Sequence, residues 1–257
     1  MEHEVKKEIK DIANMLLEVG TVLMSSGANT GRIRNTVNRI SDTFGYNTEL
    51  LITHRALMLT ISDEENNYFF DILKRTPVHG VNFRVVSGIS LMSWRVVEEK
   101  WTVEQINEEL TRLTSLPHFP RIIILLLVAL AGASFCHLAG GAAPDMIITF
   151  IATFIGLFVR QQATKMRFNF YLCVYFAALA ASLIAGALSI KMGWGDSQEH
   201  AFATSVLFLI PGVPLINSFS DLIDGNLQNG IVRGLNGFII SFAIALGLLT
   251  AKFIYQI

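Results

Sequence analysis

Leu116-Pro117-His118-Phe119-Pro120-Arg121-Ile122-Ile123-Ile124-Leu125-Leu126-Leu127-Val128-Ala129-Leu130 is the stretch on which the reading of the whole chain turns. Two prolines this close cannot lie inside a regular helix, and an unbroken apolar run follows them. Before the break, charged residues recur every few positions; after it they thin to isolated Asp, Glu, Lys and Arg between long apolar runs. The 257 residues are 52% hydrophobic and 16% charged, against about 25% charged in an ordinary globular domain. The expected fold is an α-helical membrane protein, with an N-terminal soluble α+β domain at 1–117 and a five-helix transmembrane domain at 118–257.

Upstream of the break, apolar residues recur at helical spacing over 5–24 (Ile9, Ile12, Ala13, Leu16, Leu17, Val19, Leu23), which predicts an amphipathic helix rather than a span. Ser25-Ser26-Gly27 ends it. Asn29 or Thr30 then caps a second helix carrying Ile33, Val37, Ile40 and Phe44 and closed by Gly45. From Glu49 the pattern shifts to β-formers in short runs, bounded by Asn47 and by Asp63-Glu64-Glu65-Asn66-Asn67, so two strands or one hairpin are expected. Beyond Pro77 and Gly80, helical spacing returns through Val85, Val86, Ile89, Met92 and Val96. Thr102 with Gln105 has the form of a capping box opening a last short helix to Leu113.

Downstream, hydrophobic spans are expected at 121–138, 146–159, 170–190, 201–216 and 231–255. A crossing helix needs about 20 apolar residues, so the second and fourth are short. Arg160, Lys165 and Arg167 between the second and third spans mark a cytoplasmic loop, as Arg121 does before the first and Arg233 before the fifth. The connection at 138–145 carries no cation and the loop at 194–199 is acidic, which suits the outside. The N-terminus lacks the layout of a cleaved signal peptide. The topology expected is N-terminus cytoplasmic, C-terminus periplasmic or external, in a cell inner membrane.

Several function classes lose support at this point. A net charge of -1 with no basic stripe gives no case for nucleic acid. Cys136 and Cys173 sit alone in apolar runs and read as packing residues, so neither a disulfide nor a metal site is expected. His54-Arg55 and His79-Gly80 have no ligand spacing and no adjacent nucleophile. No G-x-S-x-G, Walker or H-E-x-x-H pattern occurs, so neither an enzyme nor a bound cofactor is expected.

The polar residues that stand out lie in Ile210-Pro211-Gly212-Val213-Pro214-Leu215-Ile216-Asn217-Ser218-Phe219-Ser220-Asp221-Leu222-Ile223-Asp224-Gly225. Pro211, Gly212 and Pro214 break the short fourth span, and broken backbone at membrane depth is tolerated where it faces protein or a cavity. Asn217 and Ser218 are candidates to hydrogen-bond a solute, and Asp221 is the candidate proton carrier, an ionisable residue near a span. The plain reading of Asp221 and Asp224 is the start of a loop. Asp145, after Gly140-Gly141-Ala142-Ala143-Pro144, is either the cap of a Pro-led helix or a second proton-exchanging group. Ser26-Gly27-Ala28-Asn29-Thr30-Gly31-Arg32 reads as a capped turn, with anion binding at the helix N-terminus as its functional alternative.

The early Ser26-Gly27-Ala28-Asn29-Thr30-Gly31-Arg32 turn, Gly140-Gly141, and Pro211-Gly212-Val213-Pro214-Leu215-Ile216-Asn217 followed by Asp221-Leu222 together resemble the threonine/serine exporter (ThrE) family over most of the chain. Fused members of that family have about ten spans in two halves; this chain has one half, and so resembles the larger subunit of a split form. The resemblance implies a separate short membrane-protein partner (YjjB-like), and the Gly- and Ala-rich spans (Gly132, Gly140, Gly156, Gly186) add the expectation of association with that partner, as a homo-oligomer, or both. It implies export of a small carboxylate solute, of threonine/serine or succinate type, and Asp221 in the broken span adds the expectation of a secondary exporter coupled to the proton gradient. The rival reading is a non-transporting membrane sensor whose N-terminal domain binds a ligand. Residues such as Pro211, Pro214 and Asn217 favour transport, since a plain anchor has no use for them.

Overall fold

The computed structural model describes residues 2–63, 68–76, 80–117, 119–191, 193 and 198–256. Glu64 to Asn67, Pro77, His79, His118 and most of the acidic loop at 194–199 therefore lie outside the described residues. The chain divides into two compact units, one of Met1–Pro117 with Val213–Leu235 and one of His118–Gly212 with Asn236–Ile257. The soluble domain expected at 1–117 thus shares its unit with a segment from beyond the third span.

In the first unit, α1 (Glu2–Ser25) and α2 (Thr30–Thr43) precede three strands, β1 (Asn47–Ile52), β2 (Ala56–Asp63) and β3 (Tyr68–Arg75), and then α3 (Phe83–Glu99) and α4 (Val103–Thr114). The strands form an antiparallel meander in the order β1-β2-β3, with Leu50 opposite Leu59 and Leu59 opposite Ile72. Leu57, Leu59 and Ile61 point to one face and are fully buried with Ile9, Leu16, Leu23, Ile33, Ile40, Ile89 and Val96, joining sheet and helices in one core. The expected hairpin is therefore a three-stranded sheet.

The helix ends follow local chemistry. Asn29 Oδ1 accepts from the Arg32 N–H at 2.8 Å, starting α2. At α4, Thr102 Oγ1 accepts from the Gln105 N–H at 3.5 Å while Gln105 Oε1 accepts from the Thr102 N–H at 2.9 Å. Thr102→Ala is expected to cost about 1 kcal/mol, read as faster amide hydrogen exchange at 103–107. Unchanged exchange there would show that packing alone holds the turn.

The second unit holds α5 (Arg121–Leu138), α6 (Ala143–Lys165), α7 (Phe170–Gly186) with a π-helical continuation (Ala187–Lys191), and α8 (Gln198–Thr204) followed by a 3-10 turn (Leu207–Leu209). It also holds most of α10 (Leu227–Tyr255), while α9 (Gly212–Ile223) falls almost wholly in the first unit. Four helices among the described residues are long and apolar enough to cross a membrane, or five if His200–Leu209 and Gly212–Ile223 count as one broken span. The stretch expected as a span at 201–216 is thus two short helices and a 3-10 turn. At a rise of 1.5 Å per residue, the 29 residues of α10 reach about 43 Å, longer than a hydrocarbon core of about 30 Å. Its first residues, Leu227–Leu235, belong to the first unit.

Small residues bring the spans together, as expected where no hydrophobic drive separates protein from lipid. A Cβ on Gly156 would stand 2.8 Å from Ala181 Cβ and 3.0 Å from the Ala177 carbonyl. Gly132 and Gly186 likewise face Thr153 and Tyr255, so these glycines serve packing within the chain. Some hydroxyls in the spans return to carbonyls one turn back, as Ser182 does to Ala178 at 2.8 Å, and others bond across to other segments, as Thr153 does to the Ser205 carbonyl at 3.3 Å.

Candidate functional site

The two prolines of the 210–225 stretch stand where that stretch breaks and a new helix begins. Pro211 directly precedes α9 and Pro214 lies in its first turn, where a missing N–H removes no helical bond. The twelve residues that follow are patterned in reverse of a soluble helix. Ser218 and Asp221 are buried, whereas Ile216, Phe219 and Ile223 are exposed, Ile223 to 84%. The polar side faces protein, and it faces the turn at 27–30.

Asp221, fully buried, accepts the Thr30 N–H on Oδ1 at 2.9 Å, and its Oδ2 lies 3.3 Å from Nε of Arg233. Arg233, 9% exposed, also donates from Nη2 to the Ala28 carbonyl at 3.2 Å. Asn217 donates to the Gly27 carbonyl at 2.8 Å, and Ser218 to the Gly230 carbonyl at 2.7 Å. Asn229, one turn before Arg233 on α10, donates from Nδ2 to Thr30 Oγ1 at 3.2 Å and to the Ile52 carbonyl at 2.8 Å. Arg34 donates to Asn226 Oδ1 at 3.2 Å. The close approach at Gly31, where a Cβ would meet Asp224 Oδ2 at 3.1 Å, leaves little room for a side chain.

The structure therefore joins the two stretches singled out separately in the sequence. The anion at the N-terminus of α2 is a carboxylate of this same chain, and a helix N-terminus favours one through its free N–H groups and dipole. Asp224 is exposed, as a loop residue would be. Pro211 and Gly212 belong to the second unit. So does Asp145, 1% exposed, whose Oδ2 accepts the Ala142 N–H at 3.1 Å at the start of α6. Asn229, Asn226 and Arg34 escaped the sequence reading. Asn229 and Arg233, four apart at the head of an apolar helix, were the available signal.

No group of three or more His, Cys, Asp or Glu among the described residues is placed to hold a metal ion. Cys136 and Cys173 are free and buried.

Several helices long and apolar enough to cross a membrane point to a multi-pass membrane protein. A family model described as "Putative threonine/serine exporter" (ThrE) matches residues 14–255, and the chain belongs to that family. It is similar to "Probable succinate transporter subunit YjjP" of Klebsiella aerogenes, at 24% identity over 248 residues, 96% of this chain and 95% of that protein. The same-named protein of Escherichia coli is 24% identical over 245 residues, 95% of this chain and 94% of that one. A "Threonine/serine exporter" of Corynebacterium glutamicum is 24% identical over 228 residues, 85% of this chain and 46% of that protein. No solved structure matches.

Proposed function

We propose that this chain is one subunit of a secondary transporter that exports a small carboxylate solute, an amino acid of threonine/serine type or a dicarboxylate of succinate type, with export coupled to the proton gradient. The observation that carries this reading is the buried Asp221–Arg233 pair on α9 and α10, since ionisable groups buried near spans are kept where they do work. Family membership and the names of the relatives support the same class. In this proposal Pro211, Gly212 and Pro214 set the start of α9, and Asn217 and Ser218 line the path of the solute. Asp221 exchanges the proton, with Asp145 as a second proton group. The partner is a short membrane protein (YjjB-like), in keeping with relatives named as subunits.

Arg160, Lys165 and Arg167 support an orientation with the N-terminus in the cytoplasm and the C-terminus outside an inner membrane. A reporter fused after residue 257 is then expected to be external and one inserted at 161–167 cytoplasmic; a cytoplasmic C-terminus would reverse the count of crossings.

The functional test is initial efflux from vesicles loaded with threonine or succinate, containing the chain and its partner subunit, with and without an imposed pH gradient. Asp221→Asn, compared at matched membrane abundance, is expected to lose the dependence on the gradient, while Asp224→Asn keeps it. Gradient-dependent export by Asp221→Asn at the unmodified rate would remove Asp221 from proton exchange and move attention to Asp145.

A further inference from the structure

Thr30 opens α2, and three groups converge around it. Its N–H donates to Asp221 Oδ1, its hydroxyl accepts from Asn229 Nδ2, and Arg233 closes on the other oxygen of Asp221. An acidic side chain at a helix N-terminus is ordinary by itself. Two further features are not. The guanidinium is buried, which is costly unless an anion stays with it. Oδ1 of Asn229, in a side chain 5% exposed, meets no hydrogen-bond donor among the described residues. The amide is fixed in that sense because Nδ2 also holds the Ile52 carbonyl at 2.8 Å. A backbone donor and a buried cation thus hold a carboxylate, the side chain that bonds the Thr30 hydroxyl carries an idle acceptor, and the carboxylate belongs to a helix that begins just after Pro211.

We propose that this cradle is a binding site for a small free carboxylate, that Asp221 is its resident occupant, and that the solute's carboxylate takes its place and frees α9 from α2. The swap leaves Arg233 paired throughout, and the displaced Asp221 reaches water as α9 withdraws. The idle Asn229 oxygen suits a carboxylate whose neighbouring carbon bears an ammonium or hydroxyl donor. That the arriving carboxylate is the transported solute rests on the exporter reading; that the cradle accepts a free carboxylate does not.

Asp221→Ala removes the occupant and leaves the cradle. Acetate titrated into this variant of the full chain, purified in chloride, is expected to raise its thermal midpoint saturably, because a ligand bound only by the folded state stabilises it. The response should be at least fivefold larger than in the unmodified protein and absent from Asp221→Ala/Arg233→Gln. Where Asp221→Ala is not recovered folded, Asp221→Asn, which keeps an acceptor for the Thr30 N–H without the charge, is used in equilibrium dialysis with succinate and with threonine. It is expected to bind the preferred solute at least tenfold more tightly than the unmodified protein, and the two arms separate a plain dicarboxylate from an amino acid. No acetate response in Asp221→Ala, an equal response in the double variant, or binding by Asp221→Asn no tighter than unmodified overturns the exchange. Acetate rescue together with absent export by the unmodified protein strikes the exporter reading and upholds the cradle.

Discussion

Arg233→Ala is expected to cost the first unit about 3–5 kcal/mol, because it leaves the carboxylate of Asp221 buried without its cation. The loss reaches past the pair. The Ala28 carbonyl loses its donor, and the turn that Asn217 and Asn229 also hold becomes free to open. The measurement is the thermal midpoint and monodispersity of purified protein for Arg233→Ala, Asp221→Asn and the two combined. The combined variant should recover much of the stability lost by Arg233→Ala alone, since no buried charge is then unpaired, while export stays absent. Simple additivity of the two losses would mean that the charges do not interact across 3.3 Å.

Gly247→Leu is the second substitution with a large expected effect, of about 3 kcal/mol or more, because overpacking costs most where the neighbour cannot yield. A Cβ at Gly247 would stand 2.7 Å from Ala178 Cβ, 2.9 Å from the Leu179 nitrogen and 2.9 Å from the Tyr175 carbonyl oxygen. Two of those three atoms are backbone of α7, so no rotamer change makes room. Leu249→Ala, two residues on and 63% exposed, is the control and should change little. Size-exclusion profiles of the two variants in detergent check this, with Gly247→Leu expected to aggregate or to fail in expression. A sharp, unmodified profile for Gly247→Leu would mean that α7 and α10 are not held this closely.

α1, α2 and α4 were legible because each carries its own signal: the spacing of Ile9, Leu16 and Leu23 in α1, Asn29 as a cap of α2, Thr102 with Gln105 at α4. β3 was not, since it follows an acidic stretch and Phe69 and Leu73 point outward, blurring the alternation that marks a half-buried strand. The turn at 26–32 and the stretch at 210–225 each drew notice for local reasons. Nothing local could show that they meet, because the bonds joining them span 190 and 191 positions of sequence. That Pro211 and Pro214 stand at the start of a helix also needed the structure. Proline in a helix interior and proline in a first turn look the same in a sequence, and only the position of the helix start separates them.

The shared unit of Met1–Pro117 and Val213–Leu235 bears on how the protein is made. The turn carbonyls of Gly27 and Ala28, and that of Ile52, are bonded by Asn217, Arg233 and Asn229, all of which leave the ribosome late. At about 5–20 residues per second, the stretch separating the two parts takes on the order of ten seconds to synthesise. During that interval α5, α6 and α7 emerge while the first unit waits with an open edge. The bonds from Asn217, Asn229 and Arg233 that complete it can therefore form only after those three helices have been made.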